Sequence, residues 1–249
     1  MFHPRGPTFV ELIRQALTST EGGYDLLAKK FDYTPFRTPD AILDAVAPLI
    51  GGRGSVGRAL DLCCGTGAGM RVLRPLCRQC VVGLDVSRGM LAEARERLED
   101  APGTAQVAFV RSDALAVPFE RAFDVVTCFG AFGHILREDE PRFVRSVARA
   151  LVPGGRFVFV TAEPPSPLSA RHWIARSFNA VMHVRNALWT PPFIMYYLTF
   201  LLPEARRLLE RRGFSVEAHR GLLPPPFEHG VAVVATLDHG AMAGQARAR

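Results

Sequence analysis

The sequence predicts an α/β domain built on a doubly wound sheet, and three observations predict it. An apolar run, Arg58-Ala59-Leu60-Asp61-Leu62-Cys63-Cys64, ends in Gly65-Thr66-Gly67-Ala68-Gly69 and passes directly into a helical pattern. A second apolar run, Val81-Val82-Gly83-Leu84, ends in Asp85, 20 positions after Gly65. Strand-like and helix-like segments then alternate as far as residue 161, with helices at 68–76, 87–98 and 138–151 each following a strand.

In chain order, 8–17 reads as a short amphipathic helix and 24–32 as another. Residues 39–50 form a third, with Ile42, Leu43, Val46 and Leu49 on one face, Thr38 placed to cap it, Pro39 in its first turn and Gly51-Gly52 to stop it. The first strand is expected at 57–62, and 107–114, 122–130 and 151–159 read as the third, fourth and fifth. After Thr161 the alternation breaks. Glu163-Pro164-Pro165-Ser166-Pro167 is a loop, and 168–202 is an insertion rich in large apolar residues. A helix at 203–212 and strands near 214–219 and 231–237 resume the regular pattern. The whole reads as one domain: N-terminal helices over 1–52, a core over 53–162, the insertion at 163–202, the rest of the sheet at 203–239 and a disordered tail over 240–249.

The glycine loop indicates a ligand. Glycines there admit positive φ and let a ligand approach with no Cβ in the way. An acid at the end of the next strand can accept both hydroxyls of a ribose, so the expected ligand is a nucleoside cofactor. A dinucleotide loop requires G-x-G-x-x-G/A, whereas here the sixth position is Met70, the third glycine comes early at Gly69, and Asp61 stands four residues before Gly65. The run D-x-x-x-G-x-G-x-G instead resembles motif I of the class I S-adenosylmethionine-dependent methyltransferases. Later segments extend the resemblance in order. Val107-Ala108-Phe109-Val110-Arg111-Ser112-Asp113-Ala114 is similar to the family's third strand with its adenine-facing acid. Phe123-Asp124-Val125-Val126 matches F-D-x-V of the fourth, and Leu151-Val152-Pro153-Gly154-Gly155 matches the L-x-P-G-G turn into the fifth. Together these motifs span about two fifths of the chain, and the nearest subgroup is the small-molecule "type 11" enzymes.

The resemblance implies a Rossmann-like sheet of seven strands in the order 3-2-1-4-5-7-6, strand seven antiparallel. It implies methyl transfer from S-adenosylmethionine, leaving S-adenosylhomocysteine, by in-line displacement to an oxygen, nitrogen or carbon of a small lipophilic or aromatic molecule. Gly65, Gly67 and Gly69, with Cys63 and Thr66, are implied in the cofactor loop. Asp61 orders that loop or reaches the cofactor's amino group; the plainer reading is a cap or a surface ion pair. Asp85, with Val86 and Met90, takes the ribose, and Asp113, with Ser112 and Ala114, takes adenine unless it is a simple turn aspartate. Phe129 and Gly130 lie against the methionine portion.

On the acceptor side, only a weakly acidic nucleophile needs a base, and His134, just after strand four, is the candidate, set against a plain packing or capping role. Glu163 is a weaker one. The aromatic insertion, with Trp173, Trp189, Tyr196 and Tyr197, is expected to cover the mouth of the site and line an acceptor pocket. Its alternative is an extra helical layer whose aromatics are core. Tyr24, Phe31 and Phe36 close the site from the N-terminal side. Rival readings are a non-catalytic S-adenosylmethionine-binding module, an NAD-dependent oxidoreductase and an RNA methyltransferase.

The 249 residues carry a net charge of +6. Arginines are scattered, with no run longer than a pair and no basic stripe interleaved with aromatics, which argues against a nucleic-acid partner and leaves peripheral membrane contact open. Five cysteines form neither a disulfide framework nor a zinc set, so the expectation is a cytoplasmic chain without a metal. The first 20 residues show no signal-peptide pattern, and no segment reaches the length of a membrane span.

Overall fold

Seven strands carry the architecture: β1 (Val56–Leu62), β2 (Cys77–Asp85), β3 (Gln106–Arg111), β4 (Phe123–Cys128), β5 (Leu151–Ala162), β6 (Phe214–Arg220) and β7 (Gly230–Leu237). They were located in a computed structural model that describes residues 3–239; the tail expected from Gly240 lies outside the described residues. The strands form one sheet in the order β3-β2-β1-β4-β5-β7-β6, as expected. Strands β1 to β5 pair in parallel, whereas β7 runs antiparallel to both β5 and β6.

The central strands are apolar runs because they are covered on both faces. On one face Leu60, Leu62, Val126, Phe157 and Phe159 pack with helices α6 (Glu140–Ala150) and α8 (Leu202–Glu210). On the other, Ala59, Val81, Val125 and Val158 pack with α3 (Asp40–Ile50), α4 (Ala68–Leu76) and α5 (Arg88–Leu98). Because β1 to β4 share one direction, Cys63, Val86, Ser112 and Phe129 leave the sheet at the same edge. Strand order reverses at β1, where its neighbours are β2 and β4, and a crevice opens at such a switch point.

Several elements differ from the sequence expectation. The helix α1 (Phe9–Ala16) is present, but the second N-terminal helix, α2 (Thr20–Leu27), begins four residues early and gives way to a 3-10 turn at Ala28–Tyr33. Ser19 starts it by accepting from the Gly22 N–H at 3.0 Å, and Gly23 is admitted within it because Phe193 and Gln15 pack where a side chain would be. Thr38 does not cap α3; Pro39 occupies that position without a side-chain bond. The third strand stops at Arg111, since Asp113 turns the chain by accepting from the Leu115 N–H at 2.8 Å.

The insertion is a 19-residue helix, α7 (Ala170–Leu188), followed by irregular chain to Leu201. Met182 is its one buried residue. The chain returns to the core at Phe200, whose ring stacks on Phe132 at 4.6 Å and meets Phe143 and Phe159 edge-on or tilted. The Phe200 N–H donates to the buried Glu140 carboxylate at 2.8 Å, and the Phe200 carbonyl accepts from Thr161 at 2.7 Å. Phe200→Ala would empty the centre of this aromatic cluster, so unfolding in urea should show a loss of about 3–5 kcal/mol.

Candidate active site

A cleft of about 490 Å³ opens at the shared strand edge, within the ~300–1,000 Å³ typical of small-molecule and cofactor sites. Its floor is the loop after β1. The Gly65 N–H donates to one Asp85 oxygen at 2.9 Å and the Ser87 N–H to the other at 2.9 Å. One carboxylate thus fixes the glycine loop against the end of β2. Burial pushes the Asp85 carboxyl above its ordinary range, opposed by the N–H groups of Ser87, Gly65 and Val86. Gly65 has φ +52°, and a Cβ there would meet nothing closer than Phe31 at 3.9 Å, so the loop leaves open space over its backbone.

Asp61 lies one layer deeper, almost fully buried on the central strand. Its register partners are Gly83 and Thr127, and the Thr127 hydroxyl donates to it at 2.7 Å. A Cβ on Gly69 would sit 2.5 Å from the Asp61 carboxylate. The glycine is therefore required by the acid: the two ends of D-x-x-x-G-x-G-x-G form one contact. Burial pushes the Asp61 carboxyl up to about 7, with the nearby Asp85 charge adding to it and the bonds from Thr127 and Met70 opposing it.

The N-terminal segment is tied across the cofactor end. Asp25 accepts from the Ser87 hydroxyl at 2.6 Å and the Gly89 N–H at 2.8 Å. Asp32 accepts from the Thr66 hydroxyl at 2.6 Å and pairs with Arg97, while Glu21 pairs with Arg111. These anchors were not read from the sequence; acids 34 and 62 residues from their partners leave no local signal.

At the other end of the cleft, the Tyr24 hydroxyl and His134 Nε2 are 2.6 Å apart, and His134 Nδ1 is 2.5 Å from the Ile194 carbonyl. A carbonyl only accepts, so Nδ1 carries the proton and Nε2 accepts from Tyr24. Burial depresses the His134 pKa, opposed by the Ile194 bond, and burial raises that of the Tyr24 phenol, with the Asp85 and Cys63 charges adding. The pair is a neutral imidazole with a phenol pointed at it. Phe31, Phe36, Leu43, Phe129, Ile135 and Ile194 give the cleft apolar walls.

Every residue expected at the cofactor lines this cleft except Gly67, from Asp61, Cys63 and Thr66 through Val86 and Met90 to Ser112, Ala114 and Gly130. Gly67 instead starts α4 with φ +87°, where a Cβ would crowd Leu98 and Ala94 of α5 at 3.1 and 3.2 Å. Asp113 lines the cleft while also capping its own turn. Tyr24, Phe31, Phe36 and His134 are in the cleft; Trp173, Trp189, Tyr196 and Tyr197 are not. The two tryptophans and Tyr197 are exposed instead. Tyr196 packs on His183 and bonds Asn186 at 3.0 Å. Pro191, Pro192 and Ile194 form the rim there, residues whose apolar bulk is modest and drew no attention in the sequence. Glu163 is also outside, paired with Arg220 at 2.6 Å. Among the described residues, no three His, Cys, Asp or Glu side chains gather closely enough to hold a metal ion, and no helix is long and apolar enough to cross a membrane.

Residues 59–155 match a family model described as a methyltransferase domain. A 2-phytyl-1,4-naphtoquinone methyltransferase of Thermosynechococcus vestitus is 44% identical over 187 residues, covering 66% of this chain and 75% of that protein. The chain belongs to the class I S-adenosylmethionine-dependent methyltransferases. A demethylmenaquinone methyltransferase of Thermus thermophilus is 38% identical over 169 residues, covering 64% of this methyltransferase and 74% of the relative. Among solved structures, the fold is shared with an O-methyltransferase family protein from Burkholderia thailandensis (TM-score 0.68, 17% identity, 93% of this chain and 68% of that one). It is shared too with DhpI in complex with S-adenosylhomocysteine (TM-score 0.63, 22% identity, 93% and 99%). Membership overturns the oxidoreductase reading, and S-adenosylmethionine is the cofactor of this methyltransferase. The cleft fits that group: open space above Gly65, an acid at the end of β2 and a buried acid beneath the loop.

The Asp61 carboxyl has a pH consequence. Its folded pKa of about 7 lies above the unfolded value, so the folded methyltransferase binds the extra proton between about pH 4 and 7. Stability of the free protein should therefore fall as pH rises through that window, by at most about 1.4 kcal/mol per pH unit from this group. Asp61→Asn should flatten the slope in chemical denaturation between pH 5 and pH 7; an unchanged slope would assign the proton elsewhere.

Proposed function

We propose that the cleft holds S-adenosylmethionine at its glycine-loop end and a lipophilic ring with an acidic hydroxyl at its Tyr24–His134 end, the class being a reduced naphthoquinone. The observation that carries this reading is the buried Tyr24–His134 hydrogen bond set in an apolar wall. Both relatives above are named for naphthoquinone-type molecules, which supports the same class.

The bound cofactor supplies a methyl group on a sulfonium already activated for in-line displacement. Asp85 holds the ribose hydroxyls with lone pairs not used by Gly65 and Ser87. Asp61, with Gly69 packed against its carboxylate, faces the amino group, and Asp113 takes the adenine amine. Gly130, with φ +76°, and Phe129 bring the end of β4 against the methionine portion. The apolar walls orient the ring and exclude water, which shortens the approach of nucleophile to methyl carbon. As the ring becomes nucleophilic, its hydroxyl proton passes to the Tyr24 oxygen while Tyr24 passes its own to His134 Nε2. The Ile194 carbonyl stabilises the imidazolium so formed through the Nδ1–H bond. The oxygen so freed is the methylated atom, or else the ring carbon it activates, which then loses its own proton to solvent while the imidazolium returns a proton through Tyr24 to the ring oxygen.

Two measurements test this reading. In calorimetry with S-adenosylhomocysteine, Asp85→Ala should abolish measurable binding, because it removes the ribose contact and frees the glycine loop. With a demethylated naphthoquinol as acceptor, Tyr24→Phe and His134→Asn should each lower kcat by about 100-fold or more and leave S-adenosylhomocysteine affinity unchanged. The wild-type rate should rise with pH along a limb centred below the ordinary histidine pKa, because burial depresses His134 and its neutral form is the active one. Full kcat in both variants would overturn the proton path.

A further inference from the structure

We infer that the exposed apolar faces of α1 and α7 dock this protein on an anionic lipid bilayer, with the mouth of the cleft at the membrane surface. On α7, Trp173, Ile174, Val181, Val184 and Leu188 are 59–69% exposed. At 100° per residue they fall within an arc of roughly 100°, on the side opposite the buried Met182. On α1 and its C-cap, Phe9, Val10, Ile13 and Leu17 are 42–68% exposed and form a stripe of similar width. Apolar area on this scale on two neighbouring helices marks a surface that is covered in use.

The two helices meet at their C-terminal ends. Arg185 of α7 donates to the Ala16 and Thr18 carbonyls at 2.6 and 2.9 Å and to the Pro191 carbonyl at 2.7 Å. The stripes thus run out at Leu17 on one side and at Leu188 and Trp189 on the other. Two residues further on each side, Ser19–Thr20 and Pro191–Pro192 line the cleft. The apolar surface and the cleft mouth are continuous.

Charge decides the occupant. From Pro164 to Pro203 the chain has no Asp or Glu, while Arg171 and Arg176 are exposed on α7 and flank its apolar stripe on either side. An apolar stripe edged by arginine and carrying tryptophan is the pattern of a helix lying in the interface of an anionic membrane. A second copy of this chain would bring the same arginines against each other, and the apolar area would have to overcome that repulsion.

Trp173 and Trp189 are the only tryptophans of the protein, so intrinsic fluorescence reports directly on this face. The full chain is titrated with vesicles of phosphatidylcholine alone and of phosphatidylcholine with about a third phosphatidylglycerol. The expected result is a blue shift and co-flotation with the mixed vesicles, weakened by salt and weaker with the neutral ones. Ile174→Asp with Val184→Asp should reduce vesicle affinity by about tenfold or more and leave S-adenosylhomocysteine affinity intact, since neither residue touches the cleft. Absence of flotation with both vesicle types would overturn the inference, as would full vesicle binding by the double variant. So would a dimer in sedimentation that the double variant dissociates while the wild type ignores vesicles. None of these outcomes depends on which acceptor the cleft takes.

Discussion

The site depends on one constraint: a carboxylate at the end of β2 must hold the backbone of a loop that belongs to β1. Asp85 meets it with both oxygens, one on the Gly65 N–H and one on the Ser87 N–H. These two bonds tie the loop after β1, with Gly65 at positive φ and its backbone facing open space, to the turn that leads into α5. The burial that raises the Asp85 pKa costs free energy, which the three N–H groups offset. A buried carboxylate is strongly destabilising when left unpaired, so the same contacts that order the loop allow the charge to exist there.

Beneath it, Asp61, Thr127 and Gly69 form a second polar island in an otherwise apolar sheet. The cofactor's cationic amino group is proposed to lie over this floor, where its charge would favour the ionised form of Asp61. The opposite end is different in kind, with aromatic and aliphatic walls and a phenol–imidazole pair in place of carboxylates. One cleft thus offers separate environments to a charged and to an apolar ligand.

The sheet could be read from the sequence because its strands are buried on both faces and its turns carry glycine, proline or acid at fixed offsets. The helix starting at Ala68 followed from those signals, whereas the antiparallel seventh strand was implied by the family resemblance alone. What could not be read was assembled by tertiary contact. Tyr24 and His134 are 110 residues apart, and nothing in either segment points to the other. Gly67 looked like a cofactor contact because spacing cannot distinguish a glycine that clears a ligand from one that clears a neighbouring helix. The aromatics of the insertion misled for a related reason: composition marks large apolar residues without saying which side of a helix faces the protein. In α7 most of them face away, and the cleft rim is built from Pro191, Pro192 and Ile194 instead.

The N-terminal segment lies over the cofactor end, held by partly buried hydrogen bonds of Asp25 and Asp32 to the Ser87 and Thr66 hydroxyls and by the more exposed ion pairs Asp32–Arg97 and Glu21–Arg111. Exposed ion pairs of this kind contribute only about 0–1 kcal/mol each and weaken with salt. Salt therefore weakens the two ion pairs and leaves the hydrogen bonds to Ser87, Gly89 and Thr66, and the buried Leu27, in place. This roof is pinned by contacts to neutral groups, and its ion pairs only trim the hold.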